Sequence, residues 1–170
     1  MRAGLAAAAL IICVSMGYMA RLRIKDRADK LNAICADIRT LGNSMELSQC
    51  KLNEMLLALA GGPMAGLWSA YAATLAREPQ SAGEAWAHTV RSEADGGSLS
   101  GLDKQDIAAL MTLGEAFSSI SRAAQADNAR LTLRQTEARA EDAEKQAAGK
   151  GRLYSSLGVL AGFALALMMI

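Results

Sequence analysis

The sequence predicts an all-α protein, a helical bundle of about six helices whose first and last helices extend into a membrane. Three observations support this prediction. Residues 3–20 and 153–170 each form an 18-residue stretch without a charged side chain. Only two of the 170 residues are proline, whereas the helix-favouring residues alanine, leucine and methionine are abundant. Between the two ends, apolar residues recur at helical spacing.

The two uncharged stretches are long enough to cross the hydrocarbon core of a bilayer, because 18 helical residues extend about 27 Å. All the charged residues except Arg2 lie between them. We therefore predict an N-terminal transmembrane helix over 1–20, a helical-bundle domain over 21–152 and a C-terminal transmembrane helix over 153–170.

A basic cluster, Arg21 to Arg27, follows the first apolar stretch directly. Positive charge beside a membrane segment resists translocation, so the cluster predicts that the bundle is cytoplasmic. A cleaved signal peptide is the alternative for the first stretch, since Arg2 supplies a basic start and Ser15 and Gly17 are small. The length of the stretch and the basic cluster favour a retained helix.

Apolar residues spaced three and four apart predict which side of each helix faces the core. Gly42 and Asn43 are expected to end the first helix, and the Gly61–Pro63 segment separates the second helix from the third. The residues that we expect in the bundle core are Leu31, Ile34, Ile38, Leu56, Leu67, Trp68, Tyr71, Trp86, Leu110 and Phe117.

Capping patterns mark the starts of the fourth and fifth helices. Ser81 is followed three residues later by Glu84, which is the pattern of a capping box. Asp103 is a candidate N-cap of the fifth helix, with Leu102 before it. These patterns place helix starts on both sides of a glycine-rich loop at residues 95–101.

The last predicted helix is poor in large apolar residues. Residues 122–146 are rich in Ala, Glu, Gln and Arg, and their large apolar residues are chiefly Leu131 and Leu133, so we expect a narrow, Ala-based inward face. Gly149 and Gly151 follow just before the second apolar stretch. Two glycines cost a helix roughly 2 kcal/mol relative to alanines, and both a hinge and a continuous helix stay open here.

No catalytic pattern is present in the sequence. The single histidine, His88, has no nucleophile partner in any recognised motif, and the glycines form no phosphate-binding loop. The three cysteines lack metal-ligand spacing. We therefore predict a non-enzymatic protein with no catalytic, cofactor or metal site and no small-molecule substrate. With 18 basic and 17 acidic residues, the charge balance gives no basis for nucleic-acid binding.

Small residues recur on one face of the second apolar stretch. Gly158 and Gly162 stand four residues apart, and Ser155 and Ser156 precede them. In lipid, such a face lets a second helix approach closely. We predict that this face packs against another helix, either from the first stretch or from another protein.

The run GRLYSSLGVLAGF at residues 151–163 resembles the closing segment of the stage III sporulation protein AB family. That family has a Lys or Arg, then a Tyr, then Ser-Leu-Gly, and a further Gly before an apolar terminus. The Ala85-Trp86 pair and the run from Leu110 to Gly114 are also similar to the family.

The resemblance implies a sporulation protein in the mother-cell membrane around the forespore. Its implied partners are the lipid bilayer and the other proteins of the stage III sporulation A complex, in particular the AA ATPase. The implied role is that of a platform similar to the F-type inner-membrane proteins of type II secretion. The alternative is a membrane-anchored signalling or regulatory helical protein unrelated to secretion, whose last helix passes a signal through Gly149 and Gly151.

Overall fold

The computed structural model of the chain describes residues 2–47, 52–77, 81–119 and 121–169. Every regular element in these ranges is an α-helix, as the sequence predicts. The described ranges contain seven helices instead of about six: α1 (Arg2–Leu47), α2 (Leu52–Leu59), α3 (Ala65–Arg77), α4 (Ala82–Ala94), α5 (Lys104–Met111), α6 (Leu113–Ser118) and α7 (Arg122–Met169).

The chain divides into two compact units. One is Asp29–Ala140, which contains α2 to α6 together with the adjoining parts of α1 and α7. The other combines Met1–Ala28 with Glu141–Ile170. These limits differ from the predicted domain limits at residues 20 and 152, which stay a prediction because they concern the membrane boundary.

No helix that could cross a membrane is found among the described residues. The two predicted transmembrane segments fall partly on side chains outside the described set, namely those of residues 3–10 and 13 and most of those from 150 onward. The transmembrane part of the fold prediction is therefore not confirmed.

Helix α1 does not end at Gly42 and Asn43, so that prediction is wrong. It continues to Leu47. A helical glycine costs about 1 kcal/mol relative to alanine. Leu41 and Met45, on either side of the glycine, are both buried, and their burial offsets this cost.

Both predicted caps are present. Ser81 Oγ accepts from the backbone N–H of Glu84, and the Glu84 carboxylate accepts from the backbone N–H of Ser81, each at 3.3 Å. Asp103 Oδ1 accepts from the backbone N–H of Gln105 at 2.9 Å and of Asp106 at 2.8 Å. Asp106 Oδ2 accepts in return from the Asp103 N–H at 3.1 Å, which completes a second capping box.

The predicted fifth helix is divided at Thr112 into α5 and α6. The Thr112 hydroxyl donates to the Ala109 carbonyl at 2.7 Å and lies 2.9 Å from the hydroxyl of Thr132 on α7. The backbone N–H of Glu115 then donates to the Thr112 carbonyl at 3.1 Å, a bond between residues three apart. This tighter turn redirects the chain, so that α6 packs against α4.

Four aromatic side chains fill the centre of the bundle, where α4 packs against α3, α5 and α6. The rings of Trp68 and Trp86 stack, with their centroids 5.3 Å apart. Tyr71 meets Trp86 edge to face at 5.2 Å, and Phe117 lies 5.1 Å from Tyr71 and 5.5 Å from Trp86. Such pairs add about 0.5–1.5 kcal/mol each beyond the apolar area that they bury.

The inward face of α7 within Asp29–Ala140 consists of small residues, as the sequence predicts. Of the two large apolar residues of this segment, Leu131 is 51% exposed and Leu133 is partly buried. Thr132 and Thr136 are buried instead, because their hydroxyls donate to the carbonyls of Asn128 and Thr132 four residues earlier. Those internal bonds remove most of the cost of burying a hydroxyl.

Candidate functional site

The ten residues expected in the bundle core are all buried, and the most exposed of them, Phe117, has an exposed fraction of only 8%. Trp86 Nε1 donates to the Leu110 carbonyl at 2.8 Å. The Tyr71 hydroxyl donates to the Ala82 carbonyl at 2.9 Å. These bonds satisfy the polar atoms of the two side chains inside an apolar cluster, and they fix the packing of α3, α4 and α5.

Sequence reasoning missed the burial of Asp37 on α1. Its exposed fraction is 4%, and its Oδ2 accepts a 2.7 Å hydrogen bond from Trp68 Nε1. The carboxylate also accepts from the backbone N–H of Met64, directly before α3. Burial raises the pKa of Asp37 above its usual value, although both hydrogen bonds act to lower it.

The position of Asp37 gives it two structural roles. It lies at the N-terminus of α3, where the helix dipole favours a negative charge. It also lies against the turn before α3, where a glycine leaves room for it: a Cβ on Gly62 would lie 2.9 Å from Asp37 Oδ1. The sequence signal was its spacing: Asp37 comes three residues after Ile34 and four before Leu41, which is the interval of the buried stripe.

Two glycines allow α4 and α6 to touch closely. A Cβ on Gly83 would lie 2.6 Å from the carbonyl oxygen of Gly114 and would collide with the Ser118 hydroxyl. A Cβ on Gly114 would lie 3.2 Å from the carbonyl oxygen of Gly83. No larger residue fits at position 83 unless the two helices separate, so this contact sets the distance between them.

An open apolar groove of about 530 Å³ lies along α2 and α3. Leu57 stands beside it with an exposed fraction of 75%. The groove is lined mainly by Leu56, Leu57, Ala60, Trp68, Ala72 and Leu75. An open groove of this composition is chemically suited to apolar side chains from another protein.

The glycine-rich loop at residues 95–101 is held by several contacts. Glu93 Oε2 accepts from the backbone N–H of Ser98 at 2.8 Å and from its hydroxyl at 2.5 Å. Lys30 Nζ donates to the Ser100 carbonyl at 2.7 Å, and Leu99 is buried. These contacts fix the loop between α1 and α4. Because the loop is held by the protein's own residues, the α2–α3 groove is the candidate surface for contact with another protein.

Chemically reactive residues do not gather in the described part of the chain. His88 is exposed on α4. Cys35 is buried, and desolvation raises the pKa of its thiol to about 11, so the reactive thiolate is scarce near neutral pH. Cys50 lies outside the described residues. Among those described, no three His, Cys, Asp or Glu side chains are grouped so that they could hold a metal ion.

The predicted residues near the carboxyl end are only partly described. Helix α7 runs through Gly149 and Gly151 without a break. Gly149 and Ser156 are exposed, whereas the side-chain environments of Gly151, Ser155, Gly158 and Gly162 lie outside the described set. The hinge and the helix-packing face therefore stay predictions.

The sequence profile of the stage III sporulation protein AB family matches residues 4–170 of this chain. A solved structure of a stage III sporulation protein AB is similar to the chain, with a TM-score of 0.64 and 24% sequence identity. The similar region covers 72% of this chain and 96% of the other, and it shows that the two share a fold. No curated protein sequence matches the chain. Because the family profile spans nearly every residue, the chain belongs to the stage III sporulation protein AB family.

Proposed function

We propose that this chain is a non-enzymatic component of a sporulation channel between mother cell and forespore, a platform that links a cytoplasmic secretion-type ATPase to membrane partners. The family match over residues 4–170 is the observation that carries the proposal. In this account, the two apolar ends hold the chain as transmembrane helices in the mother-cell membrane around the forespore. The bundle then faces the cytoplasm, where the ATPase can reach it.

The packing of the bundle supports a mechanical role. In the described part of the chain, every buried side-chain nitrogen or oxygen has a hydrogen-bond partner. The aromatic cluster and the close contact of Gly83 with Gly114 leave little freedom between α3, α4 and α6. A bundle held in this way passes a contact made on its surface to other partners without chemistry of its own.

The α2–α3 groove is the surface that we assign to the ATPase. Leu57 projects beside it and is the most exposed of the large apolar residues described in Asp29–Ala140. Protein interfaces concentrate their binding energy in a few apolar side chains that become buried on contact, and Leu57 is suited to this role.

Binding of the full chain, reconstituted in lipid nanodiscs, to the purified AA ATPase tests this proposal. We expect saturable binding, weakened by about tenfold or more in Leu57→Asp because the substitution places a charge in an apolar contact. Leu131→Asp is the matched control, since Leu131 is also an exposed helical leucine but stands apart from the groove. The proposal fails if the wild-type chain does not bind, and the groove assignment fails if both variants bind equally well.

A further inference from the structure

We propose that Arg21, Arg23 and Lys25 of α1 form a binding site for the headgroups of anionic phospholipids. We call these three residues the basic collar. The inference rests on the proposed membrane anchoring and deepens it, because it names the class of lipid that the chain selects. All three side chains are exposed, and they lie in the unit formed by Met1–Ala28 and Glu141–Ile170.

An exposed apolar band runs up to the collar on the same helix, and its last member, Leu22, lies between Arg21 and Arg23. Tyr18 is 57% exposed, and the other members are Ile11, Ile12, Val14, Met16, Met19 and Leu22. An aqueous surface seldom presents so many large apolar side chains in succession, whereas lipid acyl chains accommodate them. Tyrosine is enriched where acyl chains meet headgroups, so Tyr18 marks the level of that boundary.

The three residues of the collar lie on opposite sides of the helix. At about 100° per residue, Arg21 and Lys25 lie on one side, four residues apart, and Arg23 lies about 200° further round. The exposed apolar band also covers more than one side of α1. A helix lying flat on a membrane would separate its apolar and basic residues onto opposite faces. Basic residues on opposite sides of the helix instead suit a helix that passes through the headgroup layer.

The length of the collar agrees with the thickness of that layer. The rise from Arg21 to Lys25 is about 6 Å. The headgroup region on each side of a bilayer is of similar thickness, since the whole bilayer exceeds its hydrocarbon core by about 10–15 Å. Three cationic side chains that radiate at this level can each reach a different phosphate.

No acidic residue lies before or within the collar. The first acidic residue of the chain is Asp26, which comes after the collar. Each Lys or Arg beside an anionic membrane surface strengthens the attraction to that surface, so that anionic lipid binds about fivefold more tightly at physiological salt. Three such residues, even with mutual screening, account for a preference of about tenfold or more for anionic over zwitterionic lipid.

The test uses the full chain in phosphatidylcholine nanodiscs doped with spin-labelled phosphatidylglycerol or spin-labelled phosphatidylcholine. Electron spin resonance measures the fraction of each labelled lipid that the protein immobilises. We expect the wild-type chain to prefer phosphatidylglycerol by about tenfold, and added salt to reduce this preference. The Arg21→Gln, Arg23→Gln, Lys25→Gln triple variant should bind both lipids about equally.

A second triple variant, Arg77→Gln, Arg91→Gln, Lys104→Gln, is the matched control. It removes the same charge from exposed positions in the Asp29–Ala140 unit and should keep the lipid preference. Incorporation of the wild-type chain without a lipid preference, or a preference that survives loss of the collar, overturns this inference alone. Failure of the wild-type chain to incorporate at all overturns the proposed anchoring together with it.

Discussion

The indole nitrogen of Trp68 donates a 2.7 Å hydrogen bond to Oδ2 of Asp37, and this bond joins α1 to α3 inside the core. The same carboxylate receives the backbone N–H of Met64, so a single side chain satisfies two donors that are otherwise removed from water. Trp68 in turn stacks on Trp86 of α4. A side chain of α1 is thus connected to the centre of the bundle through one aromatic ring.

Replacing Asp37 with alanine should lower the free energy of unfolding by about 2–4 kcal/mol, because two buried donors lose their acceptor. Chemical denaturation followed by circular dichroism measures the change. Asp127→Ala is the control, since its carboxylate is exposed and its ion pair with Arg130, at 3.7 Å, lies on the surface. Its effect should be below about 0.5 kcal/mol. Equal losses in the two variants would contradict the structural role of Asp37.

The stability contributed by Asp37 should depend on pH in the opposite direction to that of an ordinary ion-paired carboxylate. Burial raises its folded-state pKa above the usual value of 3.8. Above pH 3.8 and up to the raised pKa, the folded state binds more protons than the unfolded state, so stability falls as the pH rises. This pH-dependent part of the contribution is complete below pH 3.8 and is lost as the pH passes the folded-state pKa.

The difference in unfolding free energy between the wild-type chain and Asp37→Asn isolates this effect, because the amide does not titrate. We expect the wild-type chain to lose stability relative to Asp37→Asn as the pH is raised through this window. An Asp37 difference that is flat, or that favours the wild-type chain with rising pH, would show that burial is not the dominant influence.

Alanine at Gly83 should destabilise the bundle, because its Cβ would lie 2.6 Å from the backbone carbonyl oxygen of Gly114. Overpacking of this kind costs about 1–3 kcal/mol. Alanine at Gly42 should instead stabilise α1 by up to about 1 kcal/mol, since nothing lies within 4 Å of its added Cβ. Thermal unfolding of the two variants gives the comparison, and a destabilising Gly42→Ala would count against the helical continuity of α1.

Much of the fold could be predicted from local sequence, because each helix carries its own signal. The apolar interval located the core residues on α1 to α5, and capping chemistry located the starts of α4 and α5. The error at Gly42 has the same origin, since glycine is a local helix breaker but burial of Leu41 and Met45 is a tertiary effect.

The remaining features depend on residues that are distant in sequence. Asp37 has the spacing of a core residue and the charge of a surface residue. Its burial depends on a hydrogen bond from Trp68, which is 31 residues away in sequence. The contact of Gly83 with Gly114 likewise cannot be predicted locally, because it forms only when α4 and α6 pack together. On α7, Leu131 is exposed and the adjacent Thr132 is buried, an arrangement that hydrophobicity alone does not predict.

Substitution of Gly149 and Gly151 with alanine separates a platform from a signalling relay. Nothing lies within 4 Å of an added Cβ at Gly149, so Gly149→Ala is free of steric conflict. The double variant should stiffen this part of α7 by roughly 2 kcal/mol. A static platform keeps spore formation at the wild-type level, as measured by counts of heat-resistant spores. A marked loss, with normal protein abundance, would favour the relay.

The proposed function depends most on the side of the membrane that the bundle occupies, because a cytoplasmic ATPase can bind the bundle only if the bundle is on the cytoplasmic side. A reporter thiol at the exposed Glu115, introduced as Glu115→Cys with Cys13 and Cys50 replaced by serine, measures this directly. Cys35 adds little background, since it is buried and the pKa of its thiol is about 11. We predict that a membrane-impermeant maleimide labels the reporter only after the cells are permeabilised. Labelling in intact cells would contradict the account.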